Sequence, residues 1–217
     1  MTKRILLILS LLSISLFSNE IIMHYDVIYK EVVSPNTGKV WLDRNLGAKE
    51  VCTSVNDKQC FGNYYQWGRN QDGHEQYNSR VVLTLAKSIS SAGKYFINAY
   101  TNDYHDWSNS LDSDGKLRID QWSKKDGSSI CPKGYTVPTL SELQKEANGN
   151  MSLDFLKLPS AGRRDEKGNM INGSFGSIWV NTASISYSKF LYYDTEGTID
   201  FGRTERDNGF NVRCIKN

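Results

Sequence analysis

The sequence predicts an α+β fold in which small antiparallel sheets and one or two helices support long ordered loops. Three observations lead to this prediction. Short strand-like segments lie on both sides of one clear helical segment, without the regular alternation of strand and helix that marks a parallel sheet. Asn, Ser, Gly and Asp are plentiful, as is usual for loops. The 217 residues, 12% of them aromatic, suffice for a single buried core.

The N-terminal half predicts a β-hairpin followed by long loops. Residues 24–33 alternate loosely and favour a strand, residues 35–38 carry turn signals, and residues 39–42 begin a second strand. Residues 80–90 favour a short helix. Residues 98–122 are polar with regularly placed Trp and Tyr, which predicts a loop packed by its own side chains.

The C-terminal half predicts one well-defined helix and then a meander. Thr139 followed by Glu142 three residues later forms a capping box, and Gly149 can end the helix. Its apolar stripe consists of Leu140, Leu143 and Ala147. Short segments separated by turn signals then predict antiparallel strands at residues 155–158, 177–182, 190–193, 198–201 and 210–215.

Residues 1–18 are typical of a secretory signal peptide. Lys3 and Arg4 precede an almost entirely apolar stretch at residues 5–17, and Ser18 is a small residue at the cleavage position. A membrane anchor is the alternative, but such a stretch would span only about 20 Å as a helix, short of a bilayer core of about 30 Å. We therefore expect a signal peptide at 1–18 and a single domain at 19–217 that is secreted, periplasmic or on the cell surface, with no membrane span.

Export gives the cysteines a structural meaning. Four cysteines in an oxidising compartment suggest two disulfides, for which three connectivities exist. We favour Cys52–Cys60, which would close a short polar loop, and Cys131–Cys214, which would join the middle of the chain to its last strand. A four-cysteine zinc site is the alternative, but the paired C-x-x-C spacing is missing.

Charge excludes one class of partner and leaves little support for catalysis. Without Lys3 and Arg4 the chain carries 24 basic and 24 acidic residues, so it has no electrostatic footprint for nucleic acid. None of the three histidines lies in a nucleophile motif, so we assign no catalytic residue. A tract containing Asp112, Asp114 and Asp120 resembles part of a calcium loop but lacks its first and last acids. We expect no cofactor beyond adventitious calcium, and a polar surface turn at this tract.

The region from Trp179 to Arg206 is the candidate recognition surface. Tyr, Ser, Asn and Arg on a rigid sheet suit recognition, because aromatic side chains give contact area at low entropic cost and polar ones adapt their hydrogen bonds. An equally weighted alternative is that half of the tyrosines pack in the core. The candidate ligand-binding residues are Asn181, Ser186, Tyr187, Tyr192, Tyr193, Asp194, Arg203 and Arg206.

Five separated segments together resemble a known bacterial family. They are TGKVWLDRNLGA at 37–48, GNYYQWGRNQDGHE at 62–75, CPKGYTVPTLSEL at 131–143, LPSAGRR at 158–164 and GFNVRCI at 209–215. In this order they resemble the Fibrobacter succinogenes major paralogous domain, a branch of the C-type-lectin-like superfamily. The resemblance runs from about residue 25 to the C terminus. The superfamily also includes formylglycine-generating enzymes and the variable receptor-binding proteins of diversity-generating retroelements.

The resemblance implies a C-type-lectin-like fold, with the termini in neighbouring strands and a helix after the CPKGY turn. It also supports the Cys131–Cys214 disulfide. It places Trp41, Trp67, Tyr135 and Trp179 in the core and implies buried ion pairs at Arg44 and Arg213. The sugar-binding calcium motifs of true lectins are absent. In the retroelement-diversified relatives the exposed residues of the last strands contact the ligand, which corresponds here to Asn181 through Arg206.

Three functions follow as hypotheses. The first is an exported, non-catalytic binding module for a protein or glycan ligand. The second is an extracytoplasmic enzyme of the formylglycine-generating type, although the reactive copper-binding cysteine pair of those enzymes has no match if Cys214 forms a structural disulfide. The third is a structural surface or phage-fibre subunit. The sequence does not predict the oligomeric state.

Overall fold

The computed structural model describes residues 21–100, 105–110, 112–148 and 153–217. The predicted signal peptide and Gly149, the predicted helix end, lie outside the described residues. Within the described ranges the fold is α+β, as predicted, with small and mostly antiparallel sheets and two α-helices. The helices are α1 (Lys116–Trp122) and α2 (Leu140–Glu146), and short 3-10 turns lie at Lys58–Cys60 and Asp154–Leu156.

Fifteen strands make up the sheets of the described chain, and all but three of them have only two or three residues. In order they are β1 (Ile22–His24), β2 (Val27–Tyr29), β3 (Glu31–Val33), β4 (Val40–Leu42), β5 (Tyr65–Gln66), β6 (Val81–Val82), β7 (Phe96–Ile97), β8 (Tyr135–Thr136), β9 (Arg163–Arg164), β10 (Met170–Ile171), β11 (Phe175–Ser184), β12 (Tyr187–Asp194), β13 (Ile199–Thr204), β14 (Gly209–Phe210) and β15 (Ile215–Lys216).

Three sheets organise the molecule. One has the order β3-β4-β15-β8, so the last strand lies between N-terminal and central strands. A second has the order β10-β9-β14-β5, and the third is the meander β11-β12-β13. The pairs β1–β2 and β6–β7 are separate, and β6–β7 is parallel. The chain between β13 and β15 therefore links all three larger sheets.

The predicted hairpin and the predicted C-terminal helix are both confirmed. β3 and β4 pair with Val32 opposite Trp41, but the expected strand at 24–33 is divided by a turn at Tyr25 and Asp26, where both φ angles are positive. At the start of α2 the Thr139 hydroxyl accepts the N–H of Glu142, and the Glu142 carboxylate accepts the N–H of Thr139. Reciprocal satisfaction of these N–H groups begins the helix where the sequence predicted.

One helix and one loop predicted from the sequence were wrong. Residues 80–90 form no helix. Their first part is β6, which pairs with β7, a strand that comes later in the sequence. Residues 98–122 are not all loop, because α1 occupies the end of that segment. Gly115 precedes α1 at φ +74°, and a side chain there would lie 2.8 Å from the Trp67 ring. A third prediction, a strand at 155–158, is replaced by the second 3-10 turn.

Two hydrophobic clusters lie on opposite faces of the β11-β12-β13 sheet. Trp179 and Phe190 pack in the first cluster, with Trp67, Trp122 and the Cys131–Cys214 disulfide. Ile178 and Leu191, their chain neighbours, pack in the second cluster with Trp41 and Leu143. Successive residues of a strand face opposite ways, so burial on both sides fixes the register of this sheet. The four aromatic residues expected in the core are all buried.

Both expected disulfides are present. Cys131–Cys214 closes a separation of 83 residues, and Cys52–Cys60 a separation of 8. Together they account for all four cysteines of the sequence.

The expected ion pairs are found at only one of the two arginines. Arg44 pairs with Asp43 at 2.8 Å. Arg213 is buried but binds neutral oxygens, namely Oδ1 of Asn45 and the carbonyls of Leu42 and Leu156. Burial without a contacting carboxylate lowers its pKa to about 10.

The helices carry no sign of a membrane span. Within the described ranges, neither has the length or the apolar character needed to cross a bilayer.

Candidate functional site

The structure separates the eight candidate residues into three groups. Ser186, Tyr187 and Arg203 lie near the turn between β11 and β12. Tyr192 and Asp194 lie at the far end of β12. Asn181, Tyr193 and Arg206 are buried and therefore do not form part of an exposed contact surface. The sheet does not bring all eight side chains together.

The turn between β11 and β12 presents a strained isoleucine. Ser184 pairs with Tyr187, so Ile185 and Ser186 form a two-residue loop. Ile185 has a φ of +51°, and the residue is 80% exposed. A β-branched residue with positive φ is a genuine outlier, at a cost of about 1–3 kcal/mol. Strain and apolar exposure therefore coincide at the tip of this hairpin.

Arg206 holds this tip from the interior. Its Nη2 donates to the carbonyl oxygens of Ile185, at 2.5 Å, and Ser113, at 2.9 Å. Its Nη1 donates to the Asp112 carbonyl and to a carboxylate oxygen of Asp106. The guanidinium is fully buried and lies 5.0 Å from the centre of the Trp67 ring. Arg206 was predicted to bind ligand, and the structure makes it a support of the hairpin instead.

A buried ionic network continues inward from Arg206. The two carboxylate oxygens of Asp106 accept hydrogen bonds from Nη1 and Nη2 of Arg118, at 2.7 and 2.8 Å. Arg118 Nε donates to the carboxylate of Asp112. Burial lowers the pKa of Arg206, and the neighbouring Arg118 adds to this effect, while Asp106 opposes it. Two cations therefore depend on the carboxylates of Asp106 and Asp112.

The acidic tract has a structural role in this network. The Asp112 carboxylate is buried and accepts Arg118 Nε and the Leu117 N–H, so the expectation of a surface turn was wrong at Asp112. Asp114 and Asp120 are exposed.

Loss of the Asp106 charge should strongly destabilise the fold. We expect Asp106→Asn to lower the free energy of unfolding by about 3 kcal/mol, because it leaves Arg118 and Arg206 buried without their shared carboxylate. Urea denaturation measures this change. Asp114→Asn, at an exposed carboxylate that among the described residues accepts only the Lys116 N–H, should change stability by less than about 0.5 kcal/mol. Equal effects of the two variants would contradict the role of the network.

The exposed side chains around the hairpin tip combine apolar and cationic character. Arg203 lies 5.2 Å from the centre of the Tyr187 ring and directly opposite Lys189 across the β12–β13 pair. No carboxylate of the described residues pairs with either cation. The hairpin-tip surface is defined as Ile185, Ser186, Tyr187, Lys189 and Arg203. Ile185 and Lys189 were missed from the sequence; a β-branched residue between two serines was the available signal for Ile185.

The other candidates support the fold. Asp194 Oδ1 accepts the N–H groups of Glu196 and Thr198, and these bonds hold its pKa below the usual range. The Tyr193 hydroxyl donates to the Pro159 carbonyl at 2.7 Å, and burial raises its pKa. Asn181 donates to the Ile119 carbonyl and so ties α1 to β11. Tyr192 stacks on Phe175 with their ring centres 5.7 Å apart.

One histidine-carboxylate group has metal-ligand character. Asp72, His74 and Glu75 have ligand atoms within 4.8 Å of one another. His74 Nδ1 lies 2.6 Å from Asp72, and its Nε2 accepts the N–H of Gln66. Burial and nearby Arg69 lower the pKa of His74 to about 4, so the ring is neutral. Both ring nitrogens serve the local fold.

Comparison with known proteins adds no further assignment, because no family model, no curated protein and no solved structure matches the chain.

Proposed function

We propose that this protein is an exported, non-catalytic binding module that recognises a protein or glycan ligand with the hairpin-tip surface. The single observation that carries the proposal is Ile185, which is strained, highly exposed and held in place by a buried arginine. The backbone strain and the exposure of apolar surface both persist at a site whose backbone is held by buried Arg206. Conformational outliers of this kind cluster at binding sites.

The chemistry of the surface favours a protein ligand. Tyrosine and arginine are enriched in binding hot spots, and Ile185 adds exposed apolar surface beside them. Lys189 and Arg203 would pair with carboxylates around an apolar pocket of the partner. A glycan offers no pocket of that kind for Ile185.

The family and the fold type belong to the same proposal. The C-type-lectin-like fold and the Fibrobacter succinogenes major paralogous domain remain assignments by resemblance. Support comes from β15 pairing with β4 and β8, from α2 following the CPKGY turn, and from Cys131–Cys214. Two disulfides are compatible with export to a secreted, periplasmic or surface location.

The alternative functions have specific tests. A formylglycine-generating activity needs reactive thiols, and all four cysteines are joined in disulfides. Titration of the native protein should therefore detect no free thiol, whereas two thiols would favour the enzyme. A structural subunit should assemble, so a strict monomer in light scattering at high concentration would count against it.

Loss of the tip side chains should weaken recognition. We expect Ile185→Ala with Tyr187→Ala and Arg203→Ala to weaken binding to ligands found on protein and glycan arrays at least tenfold, because hot-spot truncations cost more than about 1.4 kcal/mol. Titration calorimetry measures the affinity. Tyr192→Ala, at the opposite end of β12, is the control and should leave binding unchanged. Unaltered binding by the triple variant would remove this surface from the proposal.

A further inference from the structure

The outer edge of β13 has free backbone hydrogen-bonding groups. β13 is the last strand of the β11-β12-β13 sheet. The Asp194 N–H donates to the Thr198 carbonyl at the closing turn, so the next pair, Tyr193 and Ile199, is not hydrogen-bonded. Alternation along the strand then points the N–H and C=O groups of Ile199, Phe201 and Arg203 away from β12.

A second contact agrees with this orientation. The Phe201 N–H donates to its neighbour's carboxylate, Asp200 Oδ1, at 2.8 Å. The outward N–H groups of Ile199 and Arg203 find no partner within the described chain. Of the three outward N–H groups, that of Phe201 is thus covered by the Asp200 side chain. The other two are available to a ligand.

A cleft runs beside this edge. Its volume is about 1150 Å³, near the upper limit of the range of about 300–1,000 Å³ usual for small-molecule sites, so it has room for an extended ligand. β13 contributes Ile199 and Phe201 to its lining, which also includes Val55 and Leu158. Ile199 is 39% exposed, so apolar surface is accessible directly along the free backbone.

The cleft also contains a cation that has no ion pair among the described residues. Lys157 lines it and has no ion pair or hydrogen bond from its ammonium group among the described residues. The carboxylate of Asp194 also lies there, but backbone N–H groups of the β12–β13 turn occupy it. Asp154 also lines the cleft. Because a second carboxylate would be repelled by it, an acidic group of the ligand is favoured only next to Lys157.

We propose that the cleft binds an extended peptide segment of another protein, which adds a strand to the free edge of β13. Backbone hydrogen bonds to Ile199 and Arg203 would supply affinity, and alternate side chains would enter the cleft. Apolar side chains suit Ile199, Phe201 and Leu158, and one acidic side chain suits Lys157. An oligosaccharide would use neither the regular spacing of these amides nor the apolar wall. The two proposals share only Arg203, whose side chain belongs to the hairpin-tip surface and whose backbone belongs to this edge, so either can fail alone.

The test uses peptides selected by the folded protein. Residues 19–217 are used to select binders from a random octapeptide display library, and the synthetic peptides are measured by fluorescence polarisation. The key pair is Ile199→Pro and Ile199→Ala. Both shorten the side chain, but only proline removes the outward N–H, and proline is tolerated at the first residue of an edge strand.

We expect Ile199→Pro to bind the selected peptides at least tenfold more weakly than Ile199→Ala. Asp200→Ala should strengthen binding, because it uncovers the Phe201 N–H. The Asp114→Asn variant, at an exposed carboxylate outside both proposed sites, should bind the peptides normally. Thermal unfolding checks that each variant is folded, and N-methylation of alternate peptide amides provides a test that needs no variant.

Three results would overturn the proposal. They are a library that yields no binder, equal affinities for Ile199→Pro and Ile199→Ala together with tolerance of every N-methylation, and displacement of the peptides by arrayed oligosaccharides.

Discussion

Removal of the Cys131–Cys214 disulfide should cost about 4.5 kcal/mol of unfolding free energy, against about 2.5 kcal/mol for Cys52–Cys60, because the closed loops differ in length. The separations are 83 and 8 residues. The longer link crosses the first hydrophobic cluster, where both of its cysteines are fully buried. Truncation also opens a cavity there, which adds to the entropic loss.

The measurement compares two double variants in denaturant without reductant. Cys131→Ala with Cys214→Ala should unfold at clearly lower denaturant than Cys52→Ala with Cys60→Ala, which is the matched control for loss of a disulfide. If the first double variant fails to fold, reduction of the native protein followed by hydrogen exchange reports whether β14 and β15 open first. Greater sensitivity to loss of the shorter disulfide would contradict the assigned role of the longer one.

The elements that the sequence predicted correctly are those set by local rules. The start of α2 follows from a capping box four residues long, and the β11-β12-β13 meander follows from turn residues between apolar segments. The number of disulfides follows from the four cysteines, although the count alone leaves three connectivities open. Each signal lies within a few residues or in a simple count, so no knowledge of distant contacts is needed.

The errors occur where distant contacts decide the outcome. α1 has a left-handed glycine at its N-cap and no side-chain cap, and Arg118 on it is held by Asp106 and Asp112. Residues 80–90 become partly strand because β7 offers a partner. Local propensity does not contain that information.

Exposure of the candidate residues was predicted correctly for only some of them, again because distant contacts decide which side chains are buried. Tyr187 and Arg203 were identified correctly as exposed side chains of the last strands, and they contact each other. Arg206 looks equally suited to recognition in the sequence, yet it is completely buried. Its role depends on Asp106, 100 residues earlier, and on Ile185, 21 residues earlier. From the sequence alone, a charged residue is predicted to be exposed unless its distant partner is known.

Asp207 should make the stability of the protein fall as the pH rises. The residue is fully buried, and neither carboxyl oxygen has a hydrogen-bond partner in the described chain. Burial raises its pKa to about 9, and nearby Glu166 and Glu205 add to the shift. An unfolded aspartate has a pKa near 3.8, so from about pH 4 to pH 9 the folded state retains a proton that the unfolded state releases.

The sign and size of the effect follow from this difference. Stability from the protonated group is fully present below about pH 4 and is lost progressively up to about pH 9, at no more than about 1.4 kcal/mol per pH unit. Asp207→Asn removes the titration while preserving the shape of the side chain. Relative to this variant, the native protein should therefore lose up to about 4 kcal/mol between pH 5 and pH 8.

Urea denaturation of both proteins at several pH values measures the slope. Asp126→Asn is the control, because exposed Asp126 has a pKa lowered by Ser128 and should affect stability only at acid pH. Parallel curves for the native protein and Asp207→Asn between pH 5 and pH 8 would show that Asp207 is not protonated in the fold. The slope is decisive even if the amide itself costs stability, since that cost does not change with pH.

Ionisation of Asp207 should also affect the hairpin tip. Asp207 follows Arg206 directly, and its backbone is held by Gln66, whose side chain donates to the Asp207 carbonyl at 2.7 Å. A charge forming at Asp207 favours opening of this segment to water, because an unpaired buried carboxylate is costly. Opening would withdraw Arg206 from the Ile185 carbonyl. Binding at the hairpin-tip surface should therefore weaken toward pH 9 in the native protein and not in Asp207→Asn.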